Sequence, residues 1–366
     1  MHTLTVAIPH MPAGQYSVRI GTGLLREAYL LLESECAGRT AFVVTDANVV
    51  AAGHLQTLIG DRDVGSFVID PPGEPSKNMQ TIAAILEAME DASLGRDTVI
   101  VALGGGTVGD IAGFAASVFK RGVAVVQVPT TTVSQADSAI GGKTGVDSSL
   151  SKNAFGTFWH PAAVYIDVAV LATLDDLQYR AGLVESVKHG LIADRGYFEY
   201  FEANIDAILR RDLTVLERVA LANCRIKAAV VAEDPTEKNK RRILNYGHTI
   251  GHAVESASDY TLLHGQAVAI GIVAAGLIEQ RMGLSRDGRL ERIRALLGRL
   301  QMPLTIPPQC RREDILAAMA RDKKAVSGRP KFVLLDEIGS TLCRNGQFAH
   351  DVPPAIIDKT IEELSR

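Results

Sequence analysis

Paired cysteines are missing from this chain of 366 residues. Cys36, Cys224, Cys310 and Cys343 stand singly with no C-x-x-C spacing, which argues against a disulfide scaffold and fits reduced thiols in a cytoplasmic protein. Aromatic residues are scarce at 5%, whereas hydrophobic residues reach 47% and glycines number 33, a balance that suits an α/β protein with many tight strand-to-helix turns. There is no excess of positive charge, and a net charge of −4 argues against a nucleic-acid partner. The longest apolar run, residues 267–278, is broken by glycines and is too short to span a bilayer. Residues 2–9 alternate like a strand before Pro12-Ala-Gly14, so the N-terminus does not read as a secretion signal. These absences predict a soluble, cytoplasmic protein with a small-molecule partner and no membrane.

What is present reads as two halves. Short β-branched runs at 41–45, 66–69, 98–103 and 123–128 show no polar alternation, the texture of strands buried on both faces of a parallel sheet. They end in Asp46-Ala-Asn48, Pro71-Pro-Gly-Glu74, Gly104-Gly-Gly106 and Pro129-Thr-Thr131, turns that the sheet places at one carboxyl edge. After about residue 174 the texture changes to helical periods over 180–193, 213–232, 242–256, 265–282 and 288–300, with one late extended piece at 331–335. The prediction is a Rossmann-like α/β dinucleotide-binding domain over 1–175 and an all-α metal- and substrate-binding domain over 176–366.

The densest chemistry lies at 241–252, RRILNYGHTIGH, followed by LHG at 263–265. His248 and His252 are four apart, so both imidazoles leave one helix face, and a third returns at His264. Three imidazoles without paired cysteines point to zinc, cobalt or iron(II) rather than calcium or magnesium. Gly247, Gly251 and Gly265 let a ligand or a second segment approach.

In the first half GGGTVGD at 104–110 follows a strand and opens a helix, satisfying G-x-G-x-x-G, whose amides suit a pyrophosphate. The acidic residue usual some 20 positions on is absent, and Asp46, with Asn48 beside it, can supply that ribose contact. Basic residues recur in small-residue turns: Lys77, Arg121, Lys152 and, between glycines after an apolar stretch, Lys143. Glu185 and Lys188 share a helix turn, and Lys227 and Arg241 approach the histidine segment. Metal, dinucleotide and cations together imply an anionic, phosphorylated polyol substrate.

The series GExxK (73–77), GGGTVGD (104–110), VPTT (128–131), DSAIGGKTGVD (137–147), KN (152–153), GLVESVKHG (182–190), RRILNYGHTIGHAVE (241–255), LHGQAVAIG (263–271) and DKK (322–324) resembles the 3-dehydroquinate synthase family. The likeness runs from about residue 16 to 340, and the wider sugar phosphate cyclases share much of it. It implies a carbon–oxygen lyase acting on 3-deoxy-D-arabino-heptulosonate 7-phosphate. NAD oxidises a ring hydroxyl, phosphate is eliminated, the ketone is reduced again and an aldol closure gives the carbocycle. Oxidation comes first because elimination without an adjacent carbonyl would pass through an unstabilised carbanion.

Position by position, the resemblance implies Glu185, His248 and His264 as ligands of one divalent metal, zinc or cobalt, and moves His252 to substrate and hydrogen-bond work. It implies that Lys143, Lys188, Lys227, Arg241, Asp137, Lys152, Asn153 and Asn245 hold substrate. Arg121 is expected to reach a neighbouring subunit's phosphate site in a homodimer. Asp46, Asn48, Glu74, Lys77, Gly105, Gly106, Asp110, Thr130, Thr131 and Thr173 are expected at NAD, together with Lys143 and Lys152. Either Lys323 or Lys324 would face substrate. Asn245 and His252 follow the dehydroquinate pattern rather than that of the inosose- or valiolone-forming enzymes. Thr132-Val133-Ser134 and Trp159-His160 depart from the family, and His160 before Pro161 reads as a turn residue. A metal- and NAD-dependent polyol phosphate dehydrogenase is the competing enzyme class, and a silent protein with a structural metal the non-enzymatic one.

Overall fold

A computed structural model of the chain describes residues 1–7, 14–285, 288–321 and 330–366. It divides into two compact units: Met1–Asp175 with Arg211–Ala232, and Asp176–Arg210 with Glu233–Arg366. Residues 211–232, which the sequence reading gives to the helical half, thus belong with the sheet. Helical periodicity shows that a face is buried but not against what. Here the helix Leu213–Glu233 and the turn before it are tied to the first unit by Arg211 on the carbonyls of Ala172 and Leu174, by Thr22 on Glu217 and by Lys227 on Asp137.

The first unit is built on strands β1 (His2–Ala7), β2 (Gln15–Gly21), β3 (Thr40–Asp46), β4 (Gly65–Ile69), β5 (Thr98–Gly104) and β6 (Ala124–Pro129). To these are added the hairpin β7 (Lys143–Val146) and β8 (Phe155–Phe158), and β9 (Ala163–Asp167). Seven of them form one sheet in the order β1-β2-β9-β6-β5-β3-β4, parallel except for the β1–β2 edge pair. Every residue of β5 is buried. Ile100 and Ala102 pack with Val44, Ile82 and Ile111 on one face, while Val99, Val101 and Leu103 pack with Leu24, Val43 and Val126 on the other. Each such valine or isoleucine contributes about 1.5–3 kcal/mol, and the two-sided core is why the run lacks polar alternation. Because β3, β5 and β6 run parallel, Asp46, Gly104 and Pro129 finish at the same edge.

The second unit is helical. Its longer elements are Asp176–Ala193, Arg195–Ala203, His248–Ala257, His264–Arg281, Arg289–Arg299, Arg312–Arg321 and Pro354–Leu364. The helix expected over 242–256 is interrupted: Lys240–Asn245 is a 3-10 turn, and Gly247 at φ 79° resets the chain before a new helix starts at His248. The late extended piece is a short pairing of Leu335–Glu337 with Ser340–Thr341, displaced from 331–335. Among the described residues no helix is long and apolar enough to cross a membrane.

Candidate active site

Glycine contacts bring the helices that carry Glu185, His248 and His264 together. A Cβ on Gly265 would collide with the Ala181 carbonyl oxygen, and one on Gly271 with that of Gly247. The helices Asp176–Ala193 and His264–Arg281, and the turn that starts His248–Ala257, therefore meet at backbone distance. The close approach serves chain against chain. It sets Glu185, His248 and His264 so that one ligand atom from each lies within 4.8 Å of the others. Glu185 Oε1 is 3.1 Å from His264 Nε2 and 3.6 Å from His248 Nε2, and Glu185 itself is almost wholly buried. His252 joins Glu255 and His264 in a second group of the same span, its ring 5.7 Å from that of His264.

Neighbouring groups orient the imidazoles. His248 Nδ1 lies 3.1 Å from the Tyr246 carbonyl oxygen and donates to it, which turns the lone pair on Nε2 toward Glu185. His264 faces Glu185 through Nε2 and Glu255 through Nδ1, at 3.7 Å. Burial opposes a charge on His264, but the hydrogen bonds and charges of the two glutamates outweigh it and lift the imidazole to about 9. Two nitrogens and one carboxylate oxygen fit a zinc or cobalt ion, a set that leaves coordination positions open. Lys188, one helical turn on and as deeply buried, forms an ion pair with Glu185.

Arg241 and Asn245 flank this group in sequence, and both are tied into the loop before them. Arg241 is 1% exposed and donates from Nη1 to the Pro235 carbonyl at 2.7 Å, and Asn245 Nδ2 donates to Glu237 Oε1 at 2.6 Å. Sequence reasoning missed Glu237 and Glu255. Glu255 follows His252 by three on the same helix, a spacing that could have revealed it. Glu237 carries no such signal. Lys323 and Lys324 lie outside the described residues.

In the first unit Gly105 caps the helix Gly106–Val118 directly after β5. Thr130 donates its amide to the Gly104 carbonyl, and Thr131 exchanges hydrogen bonds with Ser134, so the unusual Thr132-Val133-Ser134 stretch closes the turn on itself. Lys77, 6% exposed, reaches Asp110 at 2.6 Å and Asn153 at 2.7 Å. Burial disfavours its ammonium, yet Asp110 and Glu74 more than compensate and raise it above its ordinary value. Lys152 pairs with Glu74 at 3.1 Å, and Lys227 with Asp137 Oδ1 at 2.8 Å. Asp46 spends one oxygen capping the turn that carries the exposed Asn48. Thr173 is exposed, its hydroxyl 2.7 Å from His54 Nε2. Lys143 is exposed at the start of β7, and Arg121 is exposed in a left-handed turn at φ 72°. His160 packs on Tyr16 and under Gly142, a structural place.

A family model described as 3-dehydroquinate synthase N-terminal matches residues 67–181, and one described as 3-dehydroquinate synthase C-terminal matches 182–325. The chain belongs to the 3-dehydroquinate synthase family. Within this family, the 3-dehydroquinate synthase of Acidithiobacillus ferrooxidans is 44% identical over 352 residues, covering 95% of this chain and 94% of that protein. Among solved structures, a 2-deoxy-scyllo-inosose synthase complexed with carbaglucose-6-phosphate, NAD+ and Co2+ is similar at a TM-score of 0.83 and 25% identity, covering 99% of this chain and 100% of that one. The 2-epi-5-epi-valiolone synthase of Streptomyces hygroscopicus with NAD+ and Zn2+ bound matches at a TM-score of 0.83 and 29% identity, covering 98% of each chain.

Proposed function

We propose that the protein is a 3-dehydroquinate synthase that converts 3-deoxy-D-arabino-heptulosonate 7-phosphate to 3-dehydroquinate and phosphate, a lyase of the shikimate pathway and aromatic amino acid biosynthesis. The observation that carries this reading is the convergence of Glu185, His248 and His264, with Lys188 beside them, in a chain of this family. NAD+ would supply a hydride acceptor that returns its hydride, and a zinc or cobalt ion would polarise the hydroxyl to be oxidised.

Glu185, His248 and His264 would hold the ion. Gly105, Gly106 and the amides opening the helix Gly106–Val118 would receive the NAD+ pyrophosphate, with Asp46 and Asn48 on a ribose and Lys77 holding Asp110 in place. Lys143, Lys152, Lys227 and Arg241 supply positive charge for the substrate's carboxylate and phosphate, and the Arg241 fork matches two oxygens of one anion. Asp137 and Asn153, which pair with Lys227 and Lys77, would orient those cations. Lys188, Asn245 and His252 are left for the hydroxyls and for proton transfer at the ring. We further propose a homodimer in which Arg121 serves the neighbouring subunit's phosphate site, and a cytoplasmic location, which the four free cysteines fit.

The test is phosphate release from the heptulosonate phosphate with zinc or cobalt and catalytic NAD+. Release without NADH build-up is expected. Stoichiometric NADH would make the protein a polyol phosphate dehydrogenase, and no release would exclude the synthase.

A further inference from the structure

The loop between the helix Leu213–Glu233 and the 3-10 turn Lys240–Asn245 is organised by one side chain. Asp234 is 8% exposed, and its carboxylate accepts three backbone amides. Lys238 N donates to Oδ1 at 2.9 Å, while Asn239 N and Arg241 N donate to Oδ2 at 2.7 and 3.0 Å. Burial pushes this carboxyl up, and the three amides with the Arg241 charge outweigh it and hold it below its ordinary value. A loop folded around a single anion gives up the freedom to rearrange, because any other conformation forfeits three hydrogen bonds to one charged acceptor.

Within that fold Glu237 adopts φ 60°, a left-handed conformation that a side chain rarely takes unless its surroundings impose it. What it secures is the Asn245–Glu237 hydrogen bond at 2.6 Å. The same loop fixes the Arg241 backbone through Asp234 and its guanidinium through the Pro235 carbonyl. Two groups read above as facing substrate, Arg241 and Asn245, therefore take their positions from one carboxylate.

We propose that Asp234 is a positioning residue for substrate: its carboxylate gathers the amides of Lys238, Asn239 and Arg241 so that Arg241 and the Asn245–Glu237 pair are presented to the substrate anion in one arrangement. This rests on the reading of Arg241 and Asn245 as substrate groups. An isosteric Asp234→Asn turns its amide toward donors and loses acceptor capacity, so the loop should loosen without a loss of volume.

The experiment compares full-length wild type, Asp234→Asn and Asp234→Glu, loaded with NAD+ and zinc. In Asp234→Asn, kcat/KM for the heptulosonate phosphate should fall about 10- to 100-fold, mainly through KM, the scale of a small misplacement of a binding group. Metal content and NAD+ affinity should stay within about twofold, which a general loss of structure would not permit. Amide exchange should accelerate at Lys238, Asn239 and Arg241. Asp234→Glu, which keeps the anion, should show a smaller fall in the same direction, and it replaces Asp234→Asn should that variant not fold. A kcat/KM within twofold of wild type in the folded variants, or unchanged exchange at 238–241, overturns the proposal. If wild type itself releases no phosphate, the synthase reading falls, and exchange at 238–241 alone then decides whether Asp234 holds the loop.

Discussion

The two units place their charged groups by different means. In the first, Lys77 and Lys152 stand on turns and Asp110 near the start of a helix, and they are held by single ion pairs, Lys77 with Asp110 and Lys152 with Glu74. In the second, Glu185, His248 and His264 stand on separate helices whose spacing depends on glycine contacts between segments far apart in sequence. A site carried on turns should fail piecemeal, one contact at a time. A site carried on packed helices should fail as a whole.

The largest effect is expected where one ligand is removed. His264→Ala should lose the metal and lower kcat by at least about 10³-fold, the scale on which a preorganised electrostatic centre acts, while His252→Ala keeps its metal. Metal analysis of the purified variants checks this, and the opposite pattern would place the ion on the His252–Glu255 side.

A matched pair of glycine substitutions sharpens the comparison. In Gly265→Ala the new methyl meets the Ala181 backbone, so stability should fall by about 1–3 kcal/mol and metal uptake should fall with it. In Gly105→Ala the methyl would lie 3.1 Å from Thr131 Cγ2, a side chain able to yield, so the melting temperature should barely move while NAD+ binding weakens. Calorimetry of both variants decides, and equal melting shifts would erase the distinction between the units. Lys77→Met comes next. It should weaken NAD+ about 10-fold, as expected when a half-buried carboxylate loses its charged hydrogen-bond donor, and leave metal content untouched.

The smallest effect is on pH. His264 binds its proton more tightly in the folded chain than an ordinary histidine does at 6.5, so in metal-free protein its contribution to stability is complete below that value and is lost as pH rises to about 9. A cation needs the same Nε2 unprotonated, so zinc affinity should strengthen over the same rise. Zinc titrations and melting curves across this range check both signs.

The same contrast explains what could be read from sequence. The runs that became β3, β5 and β6, and the turns Asp46-Ala-Asn48, Gly104-Gly-Gly106 and Pro129-Thr-Thr131, were legible because strand burial and turn chemistry act over a few residues. The strand β2 and the five-residue β9 were not, being too short or too mixed to stand out from loop. In the helical unit, spacing pointed to a metal-binding segment but weighted His252 equally with His248. Periodicity reports which face a residue leaves, and nothing local to Glu185 says that its helix will meet the other two; only the family resemblance pointed to that residue. The placing of residues 211–232 with the sheet was hidden for the same reason, since Lys227 meets Asp137 across a long sequence separation. The role of Asp234 was invisible because its partners are backbone amides.

That helix packing assembles one metal site from Glu185, His248 and His264 is tested most directly by anomalous diffraction at the metal absorption edge, using crystals of zinc- or cobalt-loaded protein. One anomalous peak per chain within bonding distance of Glu185 Oε1, His248 Nε2 and His264 Nε2 is the predicted result. A peak bound by His252 and Glu255 with Glu185 left in its pair with Lys188 would contradict it.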